Sequence, residues 1–106
     1  MEKIYAISST GKTEKSFLDL RFGKCFSIVL FYPERNHYSI IENPFLEAEH
    51  SGIKLVDFLL KEGVSTIITG EVGPMVSAKL EKEKLQLVLL AEERIKIEEV
   101  MDRITK

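Results

Sequence analysis

Two short segments carry most of the chemistry that this chain of 106 residues offers. The first is Arg21-Phe22-Gly23-Lys24-Cys25, two cations flanking an aromatic–glycine pair and ending on the only cysteine. A guanidinium and an ammonium so placed can neutralise an anionic ligand, or can serve surface solubility alone. Cys25 offers a thiolate to a soft metal or an iron–sulfur cluster. It also reads as a small buried hydrophobe at the start of a strand. The second segment, Thr69-Gly70-Glu71-Val72-Gly73-Pro74, ends a β-branched run at a glycine and opens a helical pattern with a Gly-Pro pair. Pro74 suits the first helical position, where its missing N–H costs nothing. Gly70 and Gly73 are expected to permit torsions and close approach that a Cβ would forbid. The resulting loop would present free N–H groups at a helix N-terminus, where anions sit, or would be a plain strand-to-helix turn. Glu71 inside it either orients a ligand or complements the helix dipole. His50, just before another helical pattern, is a second candidate metal ligand or a solvated neighbour of the cap. His37 falls in a hairpin at the opposite edge.

Other chemistries find no support. The sequence holds no Cys–His or Ser–His–Asp grouping and no carboxylates at metal-binding spacing. A nuclease of the ribonuclease-H type would carry an acid on its first strand, and Lys3-Ile4-Tyr5-Ala6-Ile7-Ser8-Ser9 has none. The Gly-rich loop lacks the Gly-Lys-Ser/Thr ending of a P-loop. A composition that is 44% hydrophobic and 30% charged predicts one soluble globular domain over residues 1–106. A net charge of −2 argues against nucleic-acid binding by bulk electrostatics. No apolar stretch approaches a membrane span, and the first residues run straight into a strand pattern without a signal-peptide layout. With a single cysteine, these features predict a reducing, cytoplasmic setting. The charge is concentrated in Glu and Lys, and Gln86, Asn36 and Asn43 are the only amides, a bias seen on thermophile surfaces.

The elements that must position these residues follow from periodicity. Strands are predicted at Lys3–Ser9, Cys25–Tyr32, His37–Glu42, Val64–Thr69 and Leu85–Leu90. Helices are predicted from a Ser51 cap to a Gly63 stop, over Pro74–Lys84, and over Lys96–Ile104. Thr10–Leu20 reads as a polar surface loop. With strand 1 central beside strand 4, right-handed crossovers make strands 1, 4 and 5 parallel and strand 2 antiparallel, giving the order 3-2-1-4-5. One edge of that sheet then collects the end of strand 1 with Ser9, the Arg21–Cys25 segment and Asn43-Pro44. The same edge receives His50-Ser51-Gly52, the Thr69–Pro74 loop and the strand 5 exit at Ala91–Glu93. Open α/β sheets bind ligands at such an edge.

The same residues carry a family resemblance. The pieces are Arg21-Phe22-Gly23-Lys24-Cys25-Phe26, Glu42-Asn43-Pro44, Ser51-Gly52, Gly63-Val64, Ile67-Ile68-Thr69-Gly70-Glu71-Val72-Gly73-Pro74 and Lys96-Ile97-Glu98-Glu99-Val100. In order and spacing they resemble the dinitrogenase iron-molybdenum cofactor biosynthesis domain from Lys3 to Ile104. The resemblance implies a ribonuclease-H-like three-layer α/β fold with a mixed five-stranded sheet and three helices. It also implies carriage of a metal–sulfur cluster or its precursor without catalysis. Arg21 stands where nitrogenase-dedicated members often have His. Glu49-His50-Ser51-Gly52 keeps one Gly of a usually Gly-rich segment, and Glu92-Glu93-Arg94 replaces a common Gly-containing loop.

The leading expectation is a carrier of an iron–sulfur or iron-molybdenum-type cluster that exchanges it with donor and acceptor proteins. Its metal ligands would be Cys25 and His50. The surrounding site would comprise Ser9, Arg21, Phe22, Gly23, Lys24, Asn43, Ser51, Gly52, Thr69, Gly70, Glu71, Gly73 and Pro74. The alternatives are a regulatory or protein-interaction module that keeps the fold without a cofactor, and an enzyme acting on a small anion at the same edge.

Overall fold

Alternation along the central strands sets the architecture. In β1 (Tyr5–Ser9), Ala6 and Ile7 are both fully buried but point to opposite faces of the sheet. The same split holds for Ile28 and Leu30 against Val29 and Phe31 in β2 (Ser27–Tyr32), and for Ile67 against Ile68 in β4 (Thr66–Thr69). Strands apolar on both faces need cover on both faces. Helices α1 (Ser51–Lys61) and α2 (Pro74–Lys82) supply it on one side through Leu55, Val56, Leu59 and Leu80. Helix α3 (Ile97–Thr105) supplies it on the other through Ile97, Val100 and Met101. The edge strands are β3 (His37–Glu42) and β5 (Gln86–Leu89).

This computed structural model describes residues 2–92 and 94–106. The sheet order is β3-β2-β1-β4-β5. Strand β1 pairs antiparallel with β2 and parallel with β4, which pairs parallel with β5; β2 and β3 are antiparallel. The ribonuclease-H-like three-layer arrangement is therefore present, with the carboxyl ends of β1, β4 and β5 on one edge.

Several local expectations are corrected. Four of the five strands are shorter than predicted, by one or two residues at an end. The Val64 N–H closes the end of α1 on the Leu59 carbonyl, and the Ser65 N–H donates to the Ile4 carbonyl. Ser51 is not the cap of α1. His50 takes that position with φ 53°, and Ser51 is already helical and buried. Helix α2 stops at Lys82, and Lys84 turns the chain with φ 61°. Gly63 ends α1 as expected, with φ 81°.

The largest correction concerns the supposed surface loop. Its second half, from Phe17 to Leu20, is part of an extended strap that runs on to Arg21 across the carboxyl edge of the sheet. Bridges tie Leu18 to Ser9, Phe17 to Lys96 and Arg21 to Glu71. Leu18 and Asp19 are only 4% and 5% exposed. The polar residues before the strap concealed it, since one buried apolar side chain shows no period.

Candidate functional site

The strap forms the floor of the edge site. The Asp19 N–H donates to the Ser8 carbonyl at 2.9 Å, and the Ser8 hydroxyl donates to the Asp19 carbonyl at 2.6 Å. The Thr69 hydroxyl lies 2.7 Å from the Ser8 hydroxyl and 3.4 Å from that same carbonyl oxygen. The ends of β1 and β4 are thus stitched to the strap by buried hydroxyls, whose desolvation is repaid only by such partners. Beside them the Glu71 N–H donates to the Leu20 carbonyl at 2.8 Å. Gly70 passes so close that an added Cβ would lie 2.5 Å from Leu20 Cα.

The Arg21–Cys25 segment is fixed just as closely. Phe22 is buried in the core beneath α1. A Cβ on Gly23 would lie 2.7 Å from the Gly52 nitrogen and 2.9 Å from Ser51 Oγ. Asn43 Nδ2 donates to the carbonyls of Gly23 and Cys25, both at 3.0 Å, and its Oδ1 accepts from the Phe45 N–H. Asn43 therefore locks this loop from the end of β3.

Above the floor lies an open cleft of about 340 Å³. Arg21, Lys24, Glu71 and Gly73 line it, with Phe22 and Val76 as apolar lining. Gly73 is the N-cap of α2, with φ −74° and ψ 167°, and Pro74 follows at the first helical position. Gly73 has no side chain with which to cap the helix, so the first-turn amides keep their capacity for an anion. An added Cβ at Gly73 would meet nothing within 4 Å. That contradicts the expectation that Gly73 is required sterically, since its torsions suit any residue and its surroundings are open. Arg21 and Lys24 also line a second cleft of about 430 Å³, which reaches Asp19, Phe26 and Leu46. Lys24 Nζ donates there to the carbonyls of Leu46 and Ala48, at 3.1 and 3.2 Å.

The structure thus brings Arg21, Phe22, Gly23, Lys24, Glu71 and Gly73 together around one cleft. Pro74 starts the helix beside it. Ser9, Asn43, Ser51, Gly52, Thr69 and Gly70 stand behind as supports. Ser9 is buried, its hydroxyl accepting from the Gly11 N–H at 3.3 Å.

The two expected metal ligands lie elsewhere. Cys25 is fully buried in the core under α1. Burial pushes its thiol up to about 12, with the negative charge of Asp19 acting in the same direction. His50 is exposed, its side chain caps nothing, and it does not line the cleft. Among the described residues no group of three or more His, Cys, Asp or Glu could hold a metal ion. Of the strand 5 exit, Glu93 lies outside the described residues.

Asp19 and Val76 were not among the expected site residues. Asp19 had a readable signal: an Asp two residues before Arg21 can accept that residue's N–H, and Oδ1 does so at 3.0 Å.

Residues 3–106 match the family described as dinitrogenase iron-molybdenum cofactor. The chain belongs to that family. The sequence matches no curated protein. Among solved structures, the apo form of the orange protein from Desulfovibrio gigas superposes with a TM-score of 0.87 at 20% identity, covering 98% of this chain and 88% of that one. A Thermotoga protein provisionally assigned as NifB gives 0.80 at 25% identity, covering 98% and 87%. The fold is therefore shared across these proteins. No helix among the described residues is long and apolar enough to cross a membrane.

Two ways of holding a metal–sulfur cluster make different demands. Covalent ligation needs accessible thiolates or imidazoles in a converging set. The one thiol here is buried and neutral, so the residues do not fit that demand. Non-covalent capture of an anionic cluster needs N–H and cationic donors around an open space. Arg21, Lys24 and the start of α2 at Gly73 fit that demand, with Glu71 offsetting one positive charge.

Proposed function

We propose that this protein is a non-catalytic carrier for a pre-assembled, negatively charged metal–sulfur cluster or its precursor, held at this cleft without a protein thiolate. The observation that supports it best is that Arg21, Lys24 and the uncapped start of α2 at Gly73 line one cleft. Sulfide ligands of such a cluster are acceptors for N–H donors, and its net charge favours cations and a helix N-terminus. Family membership points to the same cargo class. The cargo would pass to and from donor and acceptor proteins in the reducing cytoplasm. Met75, in the first turn of α2 and 63% exposed, offers them an apolar contact beside the cleft.

Tetrathiomolybdate, an anion complete in its own sulfides, is the direct probe. Anaerobic titration followed by desalting should leave it on the wild type and on Cys25→Ala, and remove most of it from an Arg21→Gln/Lys24→Gln double variant. Iron with sulfide should assemble no protein-bound cluster. Retention that depends on Cys25 or His50 would replace this reading with covalent ligation. No retention by the wild type would leave the interaction-module reading in its place.

A further inference from the structure

We infer that Asp19 is a positioning residue for the anion cleft, holding Arg21 where it can meet the cargo; this rests on the carrier reading above. The two partners are unequal in a telling way. The Asp19 side chain is 7% exposed and that of Arg21 is 66% exposed. Asp19 Oδ1 accepts the Arg21 N–H at 3.0 Å and lies 3.4 Å from Arg21 Nε. The anchor itself does not drift, because its own N–H and carbonyl are both bonded to Ser8 at the end of β1.

A free arginine on a surface loop samples many rotamers and surrenders that freedom when it binds. A buried carboxylate tethered to the central strand removes part of that cost before the ligand arrives, which is preorganisation. The tether leaves the rest of the guanidinium available, since it engages Nε through one carboxylate oxygen. No other acidic side chain is both buried and bonded to a cleft cation among the described residues.

The placement has a cost that makes it testable. A negative charge beside an anion cleft repels the anion. If Asp19 acted by charge alone, removing the charge would tighten binding. If it acts by positioning Arg21, removing the charge weakens binding. The sign of one measurement therefore separates the two roles.

The experiment is a double-mutant cycle on tetrathiomolybdate affinity with wild type, Asp19→Asn, Arg21→Gln and the combination. Asparagine keeps an acceptor for the Arg21 N–H and loses the charge that holds the side chain. Asp19→Asn should weaken binding about three- to fivefold, the upper part of the range of an exposed ion pair. In the Arg21→Gln background the same change should cause no further weakening. Asp19→Asn binding as tightly as wild type or tighter, or an equal loss in both backgrounds, overturns the inference. Failure of the wild type to bind overturns the carrier reading and Asp19's part in it. Wild-type binding with an unchanged Asp19→Asn overturns Asp19's part alone. Should Asp19→Asn not fold, NMR of the wild type decides: the Arg21 Nε–H should exchange with solvent more slowly than a free arginine's, and equal exchange overturns the tether.

Discussion

Gly70 and Gly73 sit in one loop at one cleft, and their surroundings differ completely. At Gly70 a Cβ would press on the Leu20 backbone at 2.5 Å, because the strap is bonded to the loop there. At Gly73 the space is empty and the torsions suit any residue. The first glycine serves the fold, since the floor of the site closes only if it is small. The second has no steric duty, and it lines the cleft. The contrast separates a rigid floor of Ser8, Asp19, Thr69 and Gly70 from an open rim of Arg21, Lys24 and Gly73. Substitutions in the floor should be read in stability and those in the rim in affinity, with Asp19, bonded to both Ser8 and Arg21, joining the two.

Gly70→Ala is the harshest test of the floor. The neighbour it meets is backbone, which cannot rotate away, so the strap or the end of β4 must move. We expect a loss of about 2–3 kcal/mol, the range of core overpacking, measured as a shift in the urea midpoint. A loss under about 0.5 kcal/mol would mean that the strap is free to lift, and the floor would not be rigid.

Cys25 belongs to the floor side as well, and pH exposes it. Its thiol is raised from 9.0 to about 12 in the folded state. The folded protein therefore holds this proton after the unfolded chain has released it. The stability tied to the buried thiol is fully present below pH 9.0 and is lost as pH rises towards about 12. Wild type should lose about 1.4 kcal/mol per pH unit more than Cys25→Ala across that window. Parallel stability curves for the two proteins would show a thiol more open to water than this packing allows.

Thr69→Val removes one hydroxyl from the stitch between β4 and the strap. The Asp19 carbonyl keeps its bond from Ser8, so the loss should be about 1 kcal/mol, the value of one buried hydrogen bond. Urea unfolding measures it. An unchanged midpoint would assign the stitch to Ser8 alone.

Most of the frame was legible in the sequence because it rests on periodicity. The β-branched runs and the i, i+3, i+4 pattern of Ile97, Val100 and Met101 specify strands and helices locally. Crossover handedness then places the loops on one edge. The collection of Arg21, Gly23, Lys24, Glu71 and Gly73 at one cleft follows from that topology. The strap was not legible, because Leu18 and Asp19 are bonded to Ser8, Ser9 and the distant Ile95, contacts that leave no local period. Nor was the fate of Cys25. A cysteine at a strand start has one face towards the edge and one towards the core, and only packing against Asn43 and α1 decides between them. Gly73 and Gly70 looked alike because a sequence does not reveal what a missing Cβ would touch.

Gly73→Ala is the smallest change in stability and the sharpest test of the rim. Alanine at an N-cap is somewhat worse than glycine, while losing a glycine stiffens the unfolded chain by a similar amount. Those terms oppose each other, so the urea midpoint should move by no more than about 0.5 kcal/mol. The methyl group nevertheless adds bulk at a residue that lines the cleft, where cargo would approach the amides of α2. Tetrathiomolybdate affinity should therefore fall while the fold is untouched. A variant that loses stability on the scale of Gly70→Ala would erase the distinction between floor and rim. A variant unchanged in both readouts would move the cargo off the α2 terminus and onto Arg21 and Lys24 alone, towards the second cleft that they share.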